Sequence, residues 1–368
     1  MPQWFYPPQI REGFNCPELT QAQADESMAH AWEYNRCVCP TFTDWDRYIA
    51  FAKFTTIAVV AEFKGELTHP LTVDRPCGYD LDEILETIFG NTVGHEEMSR
   101  QARCCFLITS TKASQGKESG LLRRYADALV YSPKDWFRLR DTDGLIRFYM
   151  AASLACNDFN TGWPTEEEWQ LLAEIGAIMY DSVAFFKHRA EGEIMSTFAY
   201  VDEDIRTEMY AIAREVLWML DSEWAKYAQR RVLVNMLRSF GGPIHMMMRR
   251  YRFVEDAMVI GKPPTEETVK ATRENYKLWY RVAAPSGPVD DPQYDAALAQ
   301  QEQLMFDGMA EMLERPEHLK CTECTRPTQA DRGEGMFNAI KMCDHHRDEF
   351  SSHMLSIRQR VHSGFDLA

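Results

Sequence analysis

Apolar positions recur along this chain every three to four residues, the period of a helix with one buried face, and no segment sustains the alternation of two that marks a strand. Residues 1–20 are rich in Pro and aromatics without periodicity and read as an arm laid over the surface. Helical patterning runs over 21–34, then resumes after a turn at 41–43, where Thr43 or Asp44 can cap the next helix. That helix continues through Tyr48, Phe51, Phe54, Ile57, Val59 and Val60 to Glu66 and stops before Pro70, because the residue ahead of a proline is driven out of the helical region. Residues 80–89 and about 96–108 follow, the latter behind Gly94-His95-Glu96-Glu97, which looks like a capped helix start; 111–120 is polar and reads as a loop. The pattern predicts helices over 121–131 and 133–156, the second with Gly144 in its middle, where lowered helicity predicts a kink or a close approach.

Residues 157–164 are a strong breaker, and Thr165-Glu166-Glu167-Glu168 then supplies a capping box. From there Trp169, Leu171, Leu172, Ile175, Met179, Val183 and Phe186 trace one long helix that stops at Gly192. Helices over 202–220 and 221–240 end at Gly241-Gly242-Pro243, another begins at His245, and 264–282 and 292–314 follow Pro/Gly linkers. The expectation is an all-α body of about a dozen helices around one deep pocket lined by Phe, Trp, Tyr and Met, with no internal repeat and no Gly-rich phosphate loop.

Composition narrows the classes. The 368 residues are 45% hydrophobic and 12% aromatic, enough for a sizeable core. A net charge of -16 argues against a nucleic-acid surface, so an anionic substrate would need a local basic cluster to overcome the global field. No apolar run reaches a membrane span, and the first residues lack a basic stretch followed by an apolar one. Ten cysteines without a secretion signal read as reduced thiols and a metal site, which places the chain in the cytoplasm. A homodimer is compatible with this reading.

The metal site is in the tail. Cys321 and Cys324, then eighteen residues, then Cys343 and His346 give CxxC…CxxH, a spacing that suits tetrahedral Zn2+ in a structural role, with His345 a competing fourth ligand. The insert carries Arg332-Gly333-Glu334-Gly335, which fits a short turn or hairpin. The chain accordingly divides into an arm over 1–20, a helical domain over 21–315 and a zinc module and tail over 316–368.

Chemistry-bearing residues cluster at the end of the long helix, where Asp181 is followed by Lys187-His188-Arg189 and then by Glu191 and Glu193. At 3.6 residues per turn Asp181 and His188 share a face two turns, or ~10 Å, apart. The plain alternative is a core helix whose last turn carries bases to suit its dipole. Upstream, Glu62 and Glu66 stand four apart on an otherwise apolar helix, so two like charges lie side by side and a cation or solvent must offset their repulsion.

Taken in order, Glu62-xxx-Glu66, then Arg138 and Arg140 ahead of Thr142 and Gly144, then Asp181 to Glu191, then Arg250-Tyr251, the constellation is similar to class I terpene synthases. Those enzymes carry an acidic motif, a diphosphate-sensing Arg before a kinked helix, a second metal motif (NDxxSxxKE) and an Arg-Tyr pair. Here the second motif stands as Tyr180-Asp181-xx-Ala184-xx-Lys187-His188; the Asp and Lys match, while Tyr180, Ala184 and His188 replace the three usual metal ligands, and the first motif lacks its aspartate pair.

A longer resemblance is carried by Ala31-Trp32-Glu33-Tyr34, by Ala61-Glu62-Phe63-Lys64-Gly65-Glu66-Leu67, by Lys187-His188-Arg189-Ala190-Glu191-Gly192-Glu193 and by the run from Phe240-Gly241-Gly242-Pro243 through Met246-Met247-Met248 to Glu255. These resemble the fungal α-ionylideneethane synthases, sesquiterpene cyclases of fungal abscisic acid biosynthesis that lack the usual aspartate-rich motif. The resemblance spans nearly the whole chain from Trp4; in the tail the family pattern is CxxC…CxxC, and His346 here still permits zinc.

The resemblance implies a single class I terpene-synthase-like helical bundle, farnesyl diphosphate as substrate and a cyclic hydrocarbon product. Ionising an allylic diphosphate calls for positive charge on the leaving group, which makes Glu62, Glu66 and Asp181 expected Mg2+ ligands and Arg140, Lys187, Arg189, Arg250 and Tyr251 expected diphosphate ligands. Burying a farnesyl chain at about 0.8 kcal/mol per CH2 is worth on the order of 10 kcal/mol before costs. An α-ionylideneethane-type skeleton further implies deprotonation to a linear polyene and reprotonation before ring closure; His188, His245 and the released diphosphate are the acid–base candidates, and Glu191 is counted with the catalytic residues. A di-iron oxidase would need two Glu-xx-His pairs on facing helices, which the body lacks. A non-enzymatic zinc-bearing adaptor and a cyclase of another sesquiterpene skeleton remain as alternatives.

Overall fold

The computed structural model describes residues 5–114, 119–191, 193–244, 292–327, 339–365 and 367, the side chains of 186, 187, 189–191 and 203 excepted. The described residues form helices, short 3-10 turns and loops; their only β pairing is an antiparallel bridge between Thr325 and Lys341. The all-α expectation holds for them. They fall into two compact units, one of residues 5–114, 119–122, 147–163 and 292–307, the other of 123–146, 164–191, 193–244, 308–327, 339–365 and 367.

In the first unit, α1 (Pro8–Arg11) precedes α2 (Gln21–Val38) and α3 (Trp45–Ala61), which pack along each other. Thr20 opens α2 with a capping box to Gln23, and Asp44 rather than Thr43 caps α3 by accepting from the Arg47 N–H at 3.0 Å. The expected surface arm is partly core: Ile10 of α1 is fully buried, and the Tyr79 hydroxyl donates to its carbonyl. Helices α4 (Leu81–Phe89) and α5 (His95–Ser114) follow, and α5 runs six residues past the expected end.

The core of this unit forms around α8 (Ile146–Cys156): Phe148 stacks on Phe54 at 4.1 Å and meets Phe89 edge-on at 5.4 Å, and Tyr149 lies 5.3 Å from Phe51. Arg147 is fully buried there and pairs with Glu97 at 3.2 Å.

Three expectations about helix continuity change. The helix bearing Glu62 ends at Ala61, Glu62 caps it, and Glu66 sits in a separate 3-10 turn, Gly65–Leu67. The two carboxylates therefore do not share a helical face. The cause is a close approach: a Cβ on Gly65 would collide with the Ser110 carbonyl and lie 2.8 Å from its Cα, while Thr68 and Ser110 hydroxyls bond at 2.9 Å, so the chain leaves the helix to dock on α5. The helix expected over 133–156 is two, α7 (Pro133–Asp143) and α8, broken where Leu145 takes a left-handed φ of 53° just after Gly144. The helix expected over 292–314 is three short pieces, α12 (Pro292–Ala299), α13 (Gln301–Leu304) and α14 (Met309–Leu313), the last two parted by Gly308 at φ 85°.

The second unit is arranged on α9 (Glu166–Glu191), which α7, α10 (Glu203–Trp224), α11 (Ala228–Phe240) and α16 (Ile357–Gly364) all touch. Thr165 and Glu168 form the expected capping box, with bonds of 2.8 and 3.3 Å. α6 (Gly120–Asp127) leads into this unit through a 3-10 turn. Helix α15 (Asp344–Leu355) docks on α7 through Phe350, which stacks on Phe137 at 5.7 Å and an interplanar angle of 8°. The turn expected at Arg332–Gly335 and the helices expected from His245 and over 264–282 lie outside the described residues.

Gly65→Ala should destabilise the protein by about 1–3 kcal/mol, because the clash is with backbone that cannot rotate away. Urea unfolding checks this; an unchanged midpoint would mean that the turn does not depend on the contact with Ser110.

Candidate functional site

Arg140 lies on the α7 face that carries Trp136 one turn earlier, and Asp181, fully buried, lies about four turns into α9. The two meet as a planar, bidentate pair: Nε to Oδ2 at 3.1 Å and Nη2 to Oδ1 at 2.7 Å. Asp143 takes the remaining side of the guanidinium at 2.9 Å from Nη1. Asp181 Oδ2 also accepts from the N–H and the hydroxyl of Thr197, at 2.9 and 2.7 Å, from a 3-10 turn that follows α9.

Burial alone would raise the Asp181 carboxyl, but the charge and hydrogen bonds of Arg140, then His188 and the Thr197 N–H, hold it below its ordinary value. Burial likewise works to lower Arg140, and Asp181 overrides it to hold the guanidinium well above its ordinary value. A cation seeking Asp181 would compete with Arg140 and Thr197 for the same oxygens.

His188 follows Asp181 by two turns. Its imidazole leans back toward the helix N-terminus, and Nδ1 comes within 3.6 Å of Asp181 Oδ1 with the side chain 5% exposed. The Tyr180 ring covers it at 5.6 Å, and the Glu193 N–H closes the helix end on the His188 carbonyl at 2.8 Å. Of the remaining expected site residues, Lys187, Arg189 and Glu191 lie in the last turns of α9 with side chains outside the described set, and His245, Arg250 and Tyr251 lie outside the described residues altogether. Glu62 is half-buried and Glu66 exposed, both in the first unit.

The sequence reading passes over two elements of the cluster, of which only the first carries a signal. Asp143 stands three residues after Arg140, a spacing that announces an ion pair on a helix. Thr197 carries no such signal, because its reach to Asp181 depends on the chain reversing after α9. A second buried carboxylate was equally silent: Glu174, seven residues before Asp181, accepts from Gln170 at 3.0 Å, His353 at 3.1 Å and Arg360 at 2.5 Å.

The tail holds a metal-ligand set. The sulfurs of Cys321, Cys324 and Cys343 and a ring nitrogen of His346 all lie within 4.8 Å of one another. Tetrahedral zinc with bonds of about 2.3 Å to sulfur and 2.0 Å to nitrogen requires S···S edges of about 3.8 Å and S···N edges of about 3.5 Å. The structure has Cys321–Cys343 at 3.9 Å, Cys324–His346 Nδ1 at 3.6 Å and Cys343–His346 Nδ1 at 3.1 Å. The donor set fits, and the fourth position belongs to His346 rather than His345. The Thr325–Lys341 bridge, with bonds of 3.0 and 2.8 Å, closes the insert beside the ligands.

Asp181 and Glu174 both have lowered folded-state values, against ordinary values of 3.8 and 4.5. A depressed carboxylate contributes stability above its unfolded value and loses it as pH falls through the folded one. Unfolding free energy should therefore decline below about pH 4.5, more shallowly in Asp181→Asn and Glu174→Gln, each of which should also be about 3–5 kcal/mol less stable at neutral pH. Urea titrations across pH 3–7 measure both; identical slopes in wild type and variants would remove these carboxylates as the acid-sensitive groups.

Among known proteins, the family described as "Alpha-ionylideneethane synthase aba3" matches residues 2–367. The chain is 46% identical over 342 residues to an alpha-ionylideneethane synthase aba3 of Botryotinia fuckeliana strain B05.10, covering 92% of this chain and 78% of that protein. It is 48% identical over 322 residues to an alpha-ionylideneethane synthase aba3 of Botryotinia fuckeliana, covering 87% and 77%. To alpha-ionylideneethane synthase abl3 of Leptosphaeria maculans it is 42% identical over 365 residues, covering 98% and 85%. Matched from end to end at this identity, the chain belongs to the α-ionylideneethane synthase family.

Proposed function

We propose that this member of the family is a sesquiterpene cyclase of the class I terpene-synthase kind that takes farnesyl diphosphate to an α-ionylideneethane-type hydrocarbon, with Mg2+ in catalysis and Zn2+ in the tail. The observation that carries the reading is the buried Arg140–Asp181–His188 cluster. Of the five N–H groups of Arg140, Asp181 and Asp143 take three, and among the described residues one on Nη1 and one on Nη2 remain to meet phosphate oxygens. Because Asp181 fixes the guanidinium plane, these donors need no reorganisation when charge develops on a leaving group. Lys187, Arg189, Arg250 and Tyr251 are proposed to complete the diphosphate contacts.

Mg2+ takes few protein carboxylates and fills its shell with water and phosphate oxygens, and Glu62, Glu66 and Asp181 are its proposed ligands, Asp181 only in exchange for one of its present donors. Bound there it would neutralise the diphosphate as it departs. His188 is the acid–base group that the geometry favours: its Nδ1 lies 3.6 Å from Asp181 Oδ1 and the side chain is buried. His245 and Glu191 stay as proposed partners in that proton transfer. Zinc, closed in by four protein ligands, is structural. Among the described residues no helix is long and apolar enough to cross a membrane.

Incubation with farnesyl diphosphate should yield a cyclic C15 hydrocarbon by gas chromatography–mass spectrometry with Mg2+ and none without it, and Glu62→Gln should nearly abolish it in a folded protein. No hydrocarbon from farnesyl, geranyl or geranylgeranyl diphosphate would overturn the cyclase reading; full activity in Glu62→Gln would remove that residue from the metal site. Elemental analysis of the purified chain should find about one zinc per molecule. His346→Ala should lose it and His345→Ala keep it, and the reverse result would reassign the fourth ligand.

A further inference from the structure

The hydroxyl of Tyr125 has no role in the chemistry above. Tyr125 lies on α6 with no solvent exposure, its ring 5.2 Å from Trp136, the residue one turn before Arg140 on α7. The hydroxyl has no hydrogen-bond partner among the described residues. A buried polar group left unmatched costs about 1–3 kcal/mol, so native proteins keep few of them, and those they keep meet water or a ligand or serve a reaction.

Two further donors of the same unit are in the same condition: Nε1 of Trp136 and Oγ of Ser196, both fully buried and unpartnered among the described residues. Ser196 directly precedes Thr197, which holds Asp181, and Trp136 lies 5.4 Å from Tyr200 at the end of the same turn. Tyr125 lies within the field of Arg140 and Asp181, Trp136 precedes Arg140 by one turn of α7, and Ser196 is the chain neighbour of the residue that holds Asp181.

Their chemistry limits what they can meet. An indole N–H only donates, so the missing partner must bring acceptor oxygens. The charges that act on Tyr125, after burial itself, are Asp143, Arg140, Asp181 and Glu193, three carboxylates against one guanidinium. Burial and these carboxylates hold the phenol far above its ordinary value, so it remains a neutral donor throughout the working pH range. Acceptor oxygens that arrive with a divalent cation, the magnesium of the reading given above, are compatible with these carboxylates.

We propose that the Tyr125 hydroxyl, supported by Trp136 Nε1 and Ser196 Oγ, is a donor subsite for the diphosphate oxygens of the substrate, which it receives as the magnesium complex. The inference rests on the diphosphate reading given above. Its energetic logic is that a donor with no competing protein acceptor is fully available to oxygens that gain negative charge as the carbon–oxygen bond breaks.

The test is Tyr125→Phe, which deletes a hydroxyl but no hydrogen bond among the described residues, so the melting temperature should stay level or rise. Calorimetric titration with magnesium pyrophosphate should show about tenfold weaker binding than wild type. Turnover of farnesyl diphosphate should fall by about 100-fold. Wild-type affinity for magnesium pyrophosphate in Tyr125→Phe overturns the subsite, since a hydroxyl that meets only internal water or packing would leave that affinity unmoved. Wild-type protein that binds no magnesium pyrophosphate overturns the diphosphate reading itself and the subsite with it. If Tyr125→Phe fails to fold, Ser196→Ala carries the same comparison, with an affinity loss expected and an unchanged affinity overturning the proposal.

Discussion

The second unit depends on a carboxylate that could not be buried alone. Removing Asp181 from water carries a desolvation cost of several kcal/mol, and the structure meets it with a bidentate guanidinium, a backbone N–H and a hydroxyl. These come from two places: Arg140 near the end of α7, and the backbone and side chain of Thr197 in the turn after α9. The ion pair therefore fixes the end of α7 and the reversal of the chain behind α9 together. It gains little as a stability device compared with an apolar contact of the same volume, so its presence is better understood through what it orients.

The same helix buries a second carboxylate two turns earlier. Glu174 and Asp181 are seven residues apart on one face, and two unscreened charges there would repel. Each is instead saturated by its own donors, Glu174 by the Arg360 guanidinium, the His353 ring and the Gln170 amide. His353 belongs to α15, whose first turn supplies His346 to the Cys3His set, and 346 and 353 again differ by seven. One face of α15 thus bears the candidate metal ligand at its start and the partner of Glu174 near its end. A closed donor set at that helix start is well placed to hold α15 in register against α9, which is the structural role proposed for zinc.

How much of this could be read beforehand follows from the range of each interaction. Helices α2, α9, α10 and α11 were legible because their signals are local: a capping box at Thr20 or Thr165, a three-to-four residue apolar period, a Gly stop. The CxxC…CxxH set was legible because ligand spacing is itself the signal, although choosing His346 over His345 took geometry. What failed were continuities set by contacts with distant segments. The turn at Gly65 exists because α5 presents Ser110 there, and nothing near Gly65 announces Ser110. The pairing of Arg140 with Asp181 joins residues 41 apart, so each was recognised as site-like without any indication that they neutralise one another.

That neutralisation bears on how an anion would be handled. With the chain at -16, a local excess of positive charge seemed necessary for a diphosphate. Around Arg140 there is no such excess among the described side chains, because Asp181 and Asp143 cancel the guanidinium and Glu193 adds a further carboxylate to the field at Tyr125. What Arg140 offers is oriented N–H dipoles in a site from which water is largely excluded, where direction counts for more than net charge. On the proposed reading, magnesium that accompanies the diphosphate adds the attraction over distance that this neutralised pair does not supply, and the oriented donors of Arg140 add direction.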